Sequence, residues 1–144
     1  MKHVLKLAAV AFLLAFQSIA WAENSGSVGN YTVHFNALAT ESLPPSVARA
    51  YGITRSKNRG LLNISVLKKG GEFQGVEASI DVSATNLTGQ LRNIKLRKIE
   101  EQNAVYYISD FSVADGETLD FSIKVTTADD ETGNFKLRQQ FFTN

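Results

Sequence analysis

Residues 119–125 read LDFSIKV, and apolar side chains alternate strictly with polar ones along this stretch. Because successive side chains of a β-strand point to opposite faces, the alternation predicts a strand with one buried face and one solvated face. The same period of two recurs elsewhere in the chain, between turns that are rich in Gly, Asn and Asp. The predicted strands centre on residues 31–37, 62–66, 76–84, 94–97, 104–111, 119–125 and 135–142.

These strands predict an all-β fold. About seven short strands, each with an apolar face, are typical of two antiparallel sheets packed as an immunoglobulin-like sandwich. A barrel closed on itself is the alternative. Residues 44–52 read PPSVARAYG and break the alternation. Proline at the start and glycine at the end favour a short inserted helix, which is unstable alone and which we expect to dock through Val47 and Tyr51.

The first 22 residues have the layout of a cleavable export signal. Two lysines precede an apolar run at residues 7–16, and small residues follow at Ala20 and Ala22. The apolar run is far shorter than the roughly 20 residues that cross a bilayer as a helix. We therefore expect cleavage after Ala22, export from the cytoplasm, and one mature domain over residues 23–144 that is not an integral membrane protein.

Charge and composition exclude several classes of protein. The chain has 15 Lys and Arg against 14 Asp and Glu, and this near-neutral balance gives no long-range attraction to nucleic acid. It has no cysteine, and only one histidine, His34, follows the signal. A structural zinc site needs Cys and His ligands and is therefore excluded. The acidic residues 129–131 lack the spacing of a calcium loop, so neither a metal nor a cofactor is expected.

Six short clusters occur in order along nearly the whole mature chain. They are GNYTVHFNA at 29–37, AYGITRS at 50–56, LNISV at 62–66, NLTGQL at 86–91, YYI at 106–108 and QFF at 140–142. The combination resembles a family of small exported proteins of Gram-negative proteobacteria that is known only as a domain of unknown function. The resemblance implies a bacterial source and a periplasmic location. It implies no activity and no catalytic or binding residues.

His34 is the single candidate for polar chemistry. Strand parity places it on the face away from the core, beside Asn36 and Thr32. This group forms either a small polar binding site or an ordinary solvated strand face. The chain has no G-x-S-x-G nucleophile motif to accompany a histidine base, so we do not expect an enzyme.

A basic loop is the first candidate for interaction. Arg55, Lys57 and Arg59 lie close together, and Lys95 and Arg97 add positive charge on a predicted strand. The loop either binds phosphates of an anionic lipid or another anion of the envelope, or serves only as a soluble surface.

Adjacent aromatic residues are the second candidate. Tyr106 and Tyr107 must point to opposite sides of their strand, as must Phe141 and Phe142. One aromatic ring of each pair therefore faces outward. In one interpretation, the helix near residues 44–51 covers these rings. In the other, Phe142 and the outward tyrosine (Tyr106 or Tyr107) form an apolar interaction surface.

The interpretation that follows is a non-enzymatic periplasmic module. We expect it to bind another protein of the cell envelope through the outward aromatic rings and the basic loop. The alternative is a carrier or sensor of a small apolar or anionic ligand, held between the helix and the sheets.

Overall fold

Nine β-strands and one α-helix make up the residues that the computed structural model describes, 24–70 and 74–143. The elements are β1 (Ser25–Val28), β2 (Tyr31–Ala39), α1 (Pro45–Ala50), β3 (Arg59–Lys68), β4 (Ser79–Asn86), β5 (Leu91–Ile94), β6 (Arg97–Glu101), β7 (Ala104–Ser112), β8 (Thr118–Thr126) and β9 (Thr132–Gln140). The export signal predicted at residues 1–22 lies outside the described residues.

Two antiparallel sheets face each other. One has the strand order β1-β2-β3-β7-β6 and the other the order β5-β4-β8-β9. The sandwich predicted from the sequence is therefore confirmed. The alternative of a single closed barrel is wrong, because the described strands form two separate sheets.

Alternating side chains of the central strands build the core between the sheets. On β8, Leu119, Phe121, Ile123 and Val125 are at most 1% exposed. The polar residues between them point to the other face of the sheet, so the pattern that predicts the strand also sets which face is buried.

The strand count exceeds the prediction of about seven, for two local reasons. The stretch predicted as one strand near 94–97 is two strands in different sheets, because the chain crosses from one sheet to the other at Lys95 and Leu96. Strand β1 is absent from the prediction, since its small residues show no apolar alternation. Gly26 in β1 lies directly over the ring of Phe135, where a Cβ atom has no room.

The segment that contains α1 covers the outer face of the five-stranded sheet. Val47 and Tyr51 are 6% and 7% exposed and belong to a second apolar cluster that includes Leu61 and Tyr106. Docking of the helix through Val47 and Tyr51 is therefore confirmed. Arg97 donates a hydrogen bond to the carbonyl oxygen of Tyr51 and so satisfies the C-terminal end of the helix.

Burial changes the chemistry of the two tyrosines in this cluster. Loss of solvent raises the pKa of Tyr106 to about 12, and the negative charge of Glu101 acts in the same direction. The pKa of Tyr51 is also raised by burial and by Glu101. Both hydroxyls are therefore held in the neutral form well above the usual tyrosine range.

Among the described residues, no helix has the length and apolar character needed to span a lipid bilayer.

The two adjacent phenylalanines at the end of β9 give a matched test of the core. Phe141 is 2% exposed and packs edge-on against Phe111, whereas Phe142 is 63% exposed. We expect Phe141→Ala to lower the free energy of unfolding by about 3–5 kcal/mol, because it removes a buried ring and leaves a cavity. Phe142→Ala should change it by no more than about 0.5 kcal/mol. Urea denaturation of both variants measures the difference, and equal losses would contradict the assigned burial.

A second test uses alkaline pH. A raised pKa in the folded state means that the stabilisation is complete below pH 10, the usual tyrosine pKa, and is lost as the pH rises toward about 12. We expect the free energy of unfolding to fall across this interval, and to fall less steeply in Tyr106→Phe. Urea denaturation at a series of pH values gives both curves, and the absence of cysteine removes thiol ionisation as a competing cause. Parallel curves for the two proteins would show that Tyr106 does not titrate as described.

Candidate functional site

The two adjacent tyrosines are not available on an open surface. Their predicted opposite orientations are confirmed, since Tyr106 lies in the cluster beneath α1 and Tyr107 contacts the core between the sheets. Tyr106 is only 3% exposed, and the hydroxyl of Tyr107 accepts a hydrogen bond from the backbone N–H of Ala78 at 3.1 Å. Of the two possibilities for the outward ring, cover by the helix is therefore the one found.

Two of the three predicted basic-loop residues hold the loop itself. Arg55 donates from Nε to the carbonyl oxygen of Leu43 at 2.8 Å and from Nη2 to that of Glu41 at 2.9 Å. Arg59 forms an ion pair with Asp110 at 2.7 Å. Lys57 is exposed, and its side chain has no hydrogen bond or ion pair with another described residue.

Three large apolar side chains stand out by their exposure among the described residues. They are Leu87, Leu91 and Phe142, at 68%, 66% and 63%. Strand register places them at one end of the sandwich. Leu87 follows the last residue of β4, Leu91 begins β5, and Phe142 comes shortly after the end of β9.

The basic loop reaches the same end. The carbonyl oxygen of Asn58 accepts the backbone N–H of Val113 at 2.9 Å, in the connection from β7 to β8. The exposed side chain of Lys57 is therefore carried beside this connection. We call Leu87, Leu91, Phe142 and Lys57 the apical surface.

Local hydrogen bonds hold the apical surface in place. The side-chain Oδ1 of Asn86 accepts the backbone N–H groups of Thr88 at 3.1 Å and Gln90 at 2.9 Å, which fixes the turn that carries Leu87. Gly89 supplies the left-handed conformation in this turn, with φ of 83°. The backbone N–H of Thr143 donates to Asp115 at 2.9 Å and secures the chain next to Phe142.

The predicted polar group lies on the outer face of the five-stranded sheet. His34 is exposed and lies across from Ser25 and Ser65 in the neighbouring strands, as its parity predicts. The Oδ1 of Asn36 accepts a hydrogen bond from the backbone N–H of Ala37 at 2.9 Å. Opposite Asn36 lies Asn63, whose buried Oδ1 has no hydrogen-bond partner among the described residues. The described residues contain no group of three or more His, Cys, Asp or Glu side chains that could hold a metal ion.

A broad trough of about 550 Å³ crosses the four-stranded sheet. Its central row on the outer face contains two short side chains, Ser83 on β4 and Ser122 on β8, which are cross-strand partners. Lys95, Lys124 and Lys136 line it from the β5–β6 crossing, β8 and β9. We call these five residues the lysine trough.

The lysines of the trough form no direct ion pair with the described carboxylates. Lys136 donates to the hydroxyl of Ser122 at 2.6 Å, and the side chains of Lys95 and Lys124 make no hydrogen bond or ion pair within the described parts of the chain. Asp81 also lines the trough and is the cross-strand neighbour of Lys124, yet the two form no ion pair.

Several other cations of the sandwich are paired with carboxylates. Arg138 forms two hydrogen bonds with Asp120, at 2.6 and 2.9 Å, which lower the pKa of that carboxyl group. Lys98 contacts Glu77 and Glu100, and its hydrogen bond lowers the pKa of Glu77. The trough therefore brings together three lysines that form no ion pair, although Asp81 lines it and the charge of Lys136 also lowers the pKa of the neighbouring Asp120.

Comparison with known proteins places the fold in a family. The model of the family described as "Domain of unknown function (DUF4426)" matches residues 25–144. A crystal structure of a DUF4426 family protein (PA0388) from Pseudomonas aeruginosa PAO1 is 33% identical, with a TM-score of 0.71 over 85% of this chain and 96% of that chain. No curated protein matches the chain.

Two further solved structures share the fold at low identity. A copper-bound variant of FetP from uropathogenic Escherichia coli strain F11 is 11% identical, with a TM-score of 0.54 over 83% of this chain and 95% of that chain. FetP of the same strain in its as-isolated form is 12% identical, with a TM-score of 0.50 over 83% of this chain and 92% of that chain. At these identities the similarity concerns the fold alone. The family match and the Pseudomonas structure together show that the chain belongs to DUF4426, a domain family of unknown function.

Proposed function

We propose that this chain is a non-enzymatic periplasmic module that binds another protein of the cell envelope through the apical surface. One observation carries the proposal. The three large apolar side chains that are most exposed among the described residues all lie at one end of the sandwich. Single exposed leucines need no explanation, whereas several exposed apolar residues at one end of a domain favour a protein-binding surface there.

The composition of the apical surface suits a protein partner. Phe142 supplies an aromatic anchor, Leu87 and Leu91 supply aliphatic area, and Lys57 supplies a charged margin. Interfaces commonly have an apolar centre with aromatic residues and a polar rim, and a few anchors contribute most of the binding energy. The hydrogen bonds of Asn86 and Asp115 fix the chain beside two of these residues, which reduces the conformational entropy lost on binding.

The apical surface includes only some of the residues that the sequence predicts for an interaction surface. Phe142 and Lys57 remain. Arg55 and Arg59 contribute indirectly, because they hold the loop that carries Lys57. Tyr106 and Tyr107 are dropped, since one lies beneath α1 and the other faces the core.

Location and the absence of enzymatic activity rest on the sequence. The predicted export signal and the resemblance to exported bacterial proteins support the periplasm. The missing nucleophile motif and the single histidine of the mature chain favour binding over hydrolysis.

The alternative function, a carrier of a small ligand between the helix and the sheet, has no room at that place. Tyr51, Ile53, Leu61 and Tyr106 are among the side chains that meet there, and the gap between them does not admit a water molecule. A carrier would therefore have to move α1 away from the sheet, at the cost of exposing this apolar cluster.

Photo-crosslinking in living cells tests the proposal. A photoreactive residue replaces Leu87, Leu91, Phe142 or Lys57, one at a time, and adducts are identified by mass spectrometry. We expect the same protein adduct from at least two of these neighbouring positions, because a single partner covers them together.

Lys69 is the control position, since it is exposed and follows β3 at the opposite end of the sandwich. A photoreactive residue there should give no such adduct. Adducts of equal yield at Lys69, or no protein adduct at any apical position, would refute binding through the apical surface.

A further inference from the structure

We propose that the lysine trough is a binding site for a phosphorylated, hydroxyl-bearing group, such as a sugar phosphate or the head group of a glycerol phospholipid. The site lies on the outer face of the four-stranded sheet and is separate from the apical surface. Its existence does not depend on the function proposed for the apical surface.

Size and shape support a small-molecule ligand. The trough has a volume of about 550 Å³, within the range of roughly 300–1,000 Å³ that is usual for small-molecule sites. Its floor is low because Ser83 and Ser122 have short side chains at the centre of the sheet. Adjacent strands lie about 4.8 Å apart, so the distance from the β5 edge to β9 is about 14 Å. This width accommodates a sugar with its phosphoryl group.

Charge indicates an anionic ligand. Lys95, Lys124 and Lys136 bring three positive charges to the lining, and Asp81 brings one negative charge. Ammonium groups are common phosphate binders, and charge-assisted hydrogen bonds are about twice as strong as neutral ones. Since none of the three ammonium groups forms an ion pair with a described residue, they can contact a phosphoryl group without first breaking one.

The remaining polar groups indicate that the ligand also carries hydroxyls. Asp81 repels a bare anion, but its carboxylate is a strong acceptor for a hydroxyl donor. Ser83, Ser122 and Asn134 line the same trough and can both donate and accept hydrogen bonds. A group with a phosphate near the lysines and hydroxyls near Asp81 and the serines satisfies the polar part of the lining.

A protein partner fits this face less well. Lysine and serine are depleted at the centres of protein interfaces, where aromatic residues are enriched. Serines, lysines and Asp81 alternate along the strands with apolar residues of the lining, such as Ile80 and Val82, which also pack against the core. The composition therefore favours a polar small molecule or head group.

Two-dimensional NMR titration tests the site with two kinds of probe. Glucose 6-phosphate represents a free sugar phosphate, with glucose and inorganic phosphate as separate controls. Phosphatidylcholine vesicles with and without phosphatidylglycerol, followed by co-sedimentation, represent the head group. We expect glucose 6-phosphate or the phosphatidylglycerol vesicles to bind, and the soluble probe to shift the amide signals of Ser83, Ser122 and Lys124. Binding of the soluble probe assigns a free ligand, and binding of the vesicles assigns a membrane head group.

Charge-matched variants separate the site from general electrostatic attraction. Lys124→Gln with Lys136→Gln should weaken binding of the successful probe by about tenfold or more per lysine removed, because each change removes a charge-assisted hydrogen bond. Lys68→Gln with Lys69→Gln removes the same amount of charge from two exposed residues at the end of β3. This control variant should bind the successful probe with an affinity within about twofold of the wild type. Both variants should keep the melting temperature of the wild type, since all four side chains are exposed.

Three results would overturn the proposal. The first is that neither probe binds, and the second is that both double variants lose affinity equally. The third is that inorganic phosphate binds as tightly as glucose 6-phosphate, which would remove the role given to the hydroxyl groups. None of these results bears on crosslinking at the apical surface, so the two proposals fail or hold separately.

Discussion

Burial of β3 on both of its faces is the constraint on which the rest of the structure depends. Leu62, Ile64 and Val66 meet the opposite sheet, while Leu61 on the other face is also fully buried. A sheet of a sandwich normally has one face in water, so the outward apolar residues of β3 and β7 require a cover. The segment between β2 and β3 provides it, and α1 exists for this packing, since six residues of helix are not stable alone.

This requirement decides how the basic residues are used. The cover has no regular strand partner, so its carbonyl groups need donors, and arginine supplies several in a planar arrangement. Arg55 serves Leu43 and Glu41, and Arg97 serves Tyr51. The lysines of the four-stranded sheet have no comparable structural task. Positive charge thus serves two purposes, because Arg55 and Arg97 hold backbone carbonyl groups whereas Lys95 and Lys124 form no ion pair among the described residues.

The strands and the inserted helix could be predicted because their signals are local. Alternation around Phe121 and the proline–glycine boundary near Val47 each act within a few residues of the chain. The docking residues Val47 and Tyr51 could be predicted for the same reason, because they lie within this short segment. The crossing at Lys95 could not be predicted, because Ile94 and Leu96 keep the spacing of one continuous strand, although β5 ends at Ile94 and Leu96 lies in the crossing to the other sheet.

The candidate sites were harder to predict because they depend on strand register. Phe142 and Lys57 could be named from the sequence, but their position at the same end as Leu87 and Leu91 follows from which strand ends meet. Likewise, Ser83 and Ser122 are ordinary polar residues until cross-strand pairing places them in one row with Lys136. Tyr106 is a candidate for an open surface at the level of sequence, because nothing in a single sequence tells which outward ring a neighbouring segment will cover.

The short crossing between β5 and β6 has a mechanical consequence. Only Lys95 and Leu96 separate a strand of one sheet from a strand of the other, so the peptide chain itself ties the two sheets along that edge. In a chain without cysteine, this tie performs the cross-linking that a disulfide between sheets provides elsewhere. It opposes sliding of one sheet over the other at that edge. At the opposite edge, side chains join the sheets, among them the rings of Phe35 and Phe135 and the hydrogen bond that Tyr31 donates to Asp129.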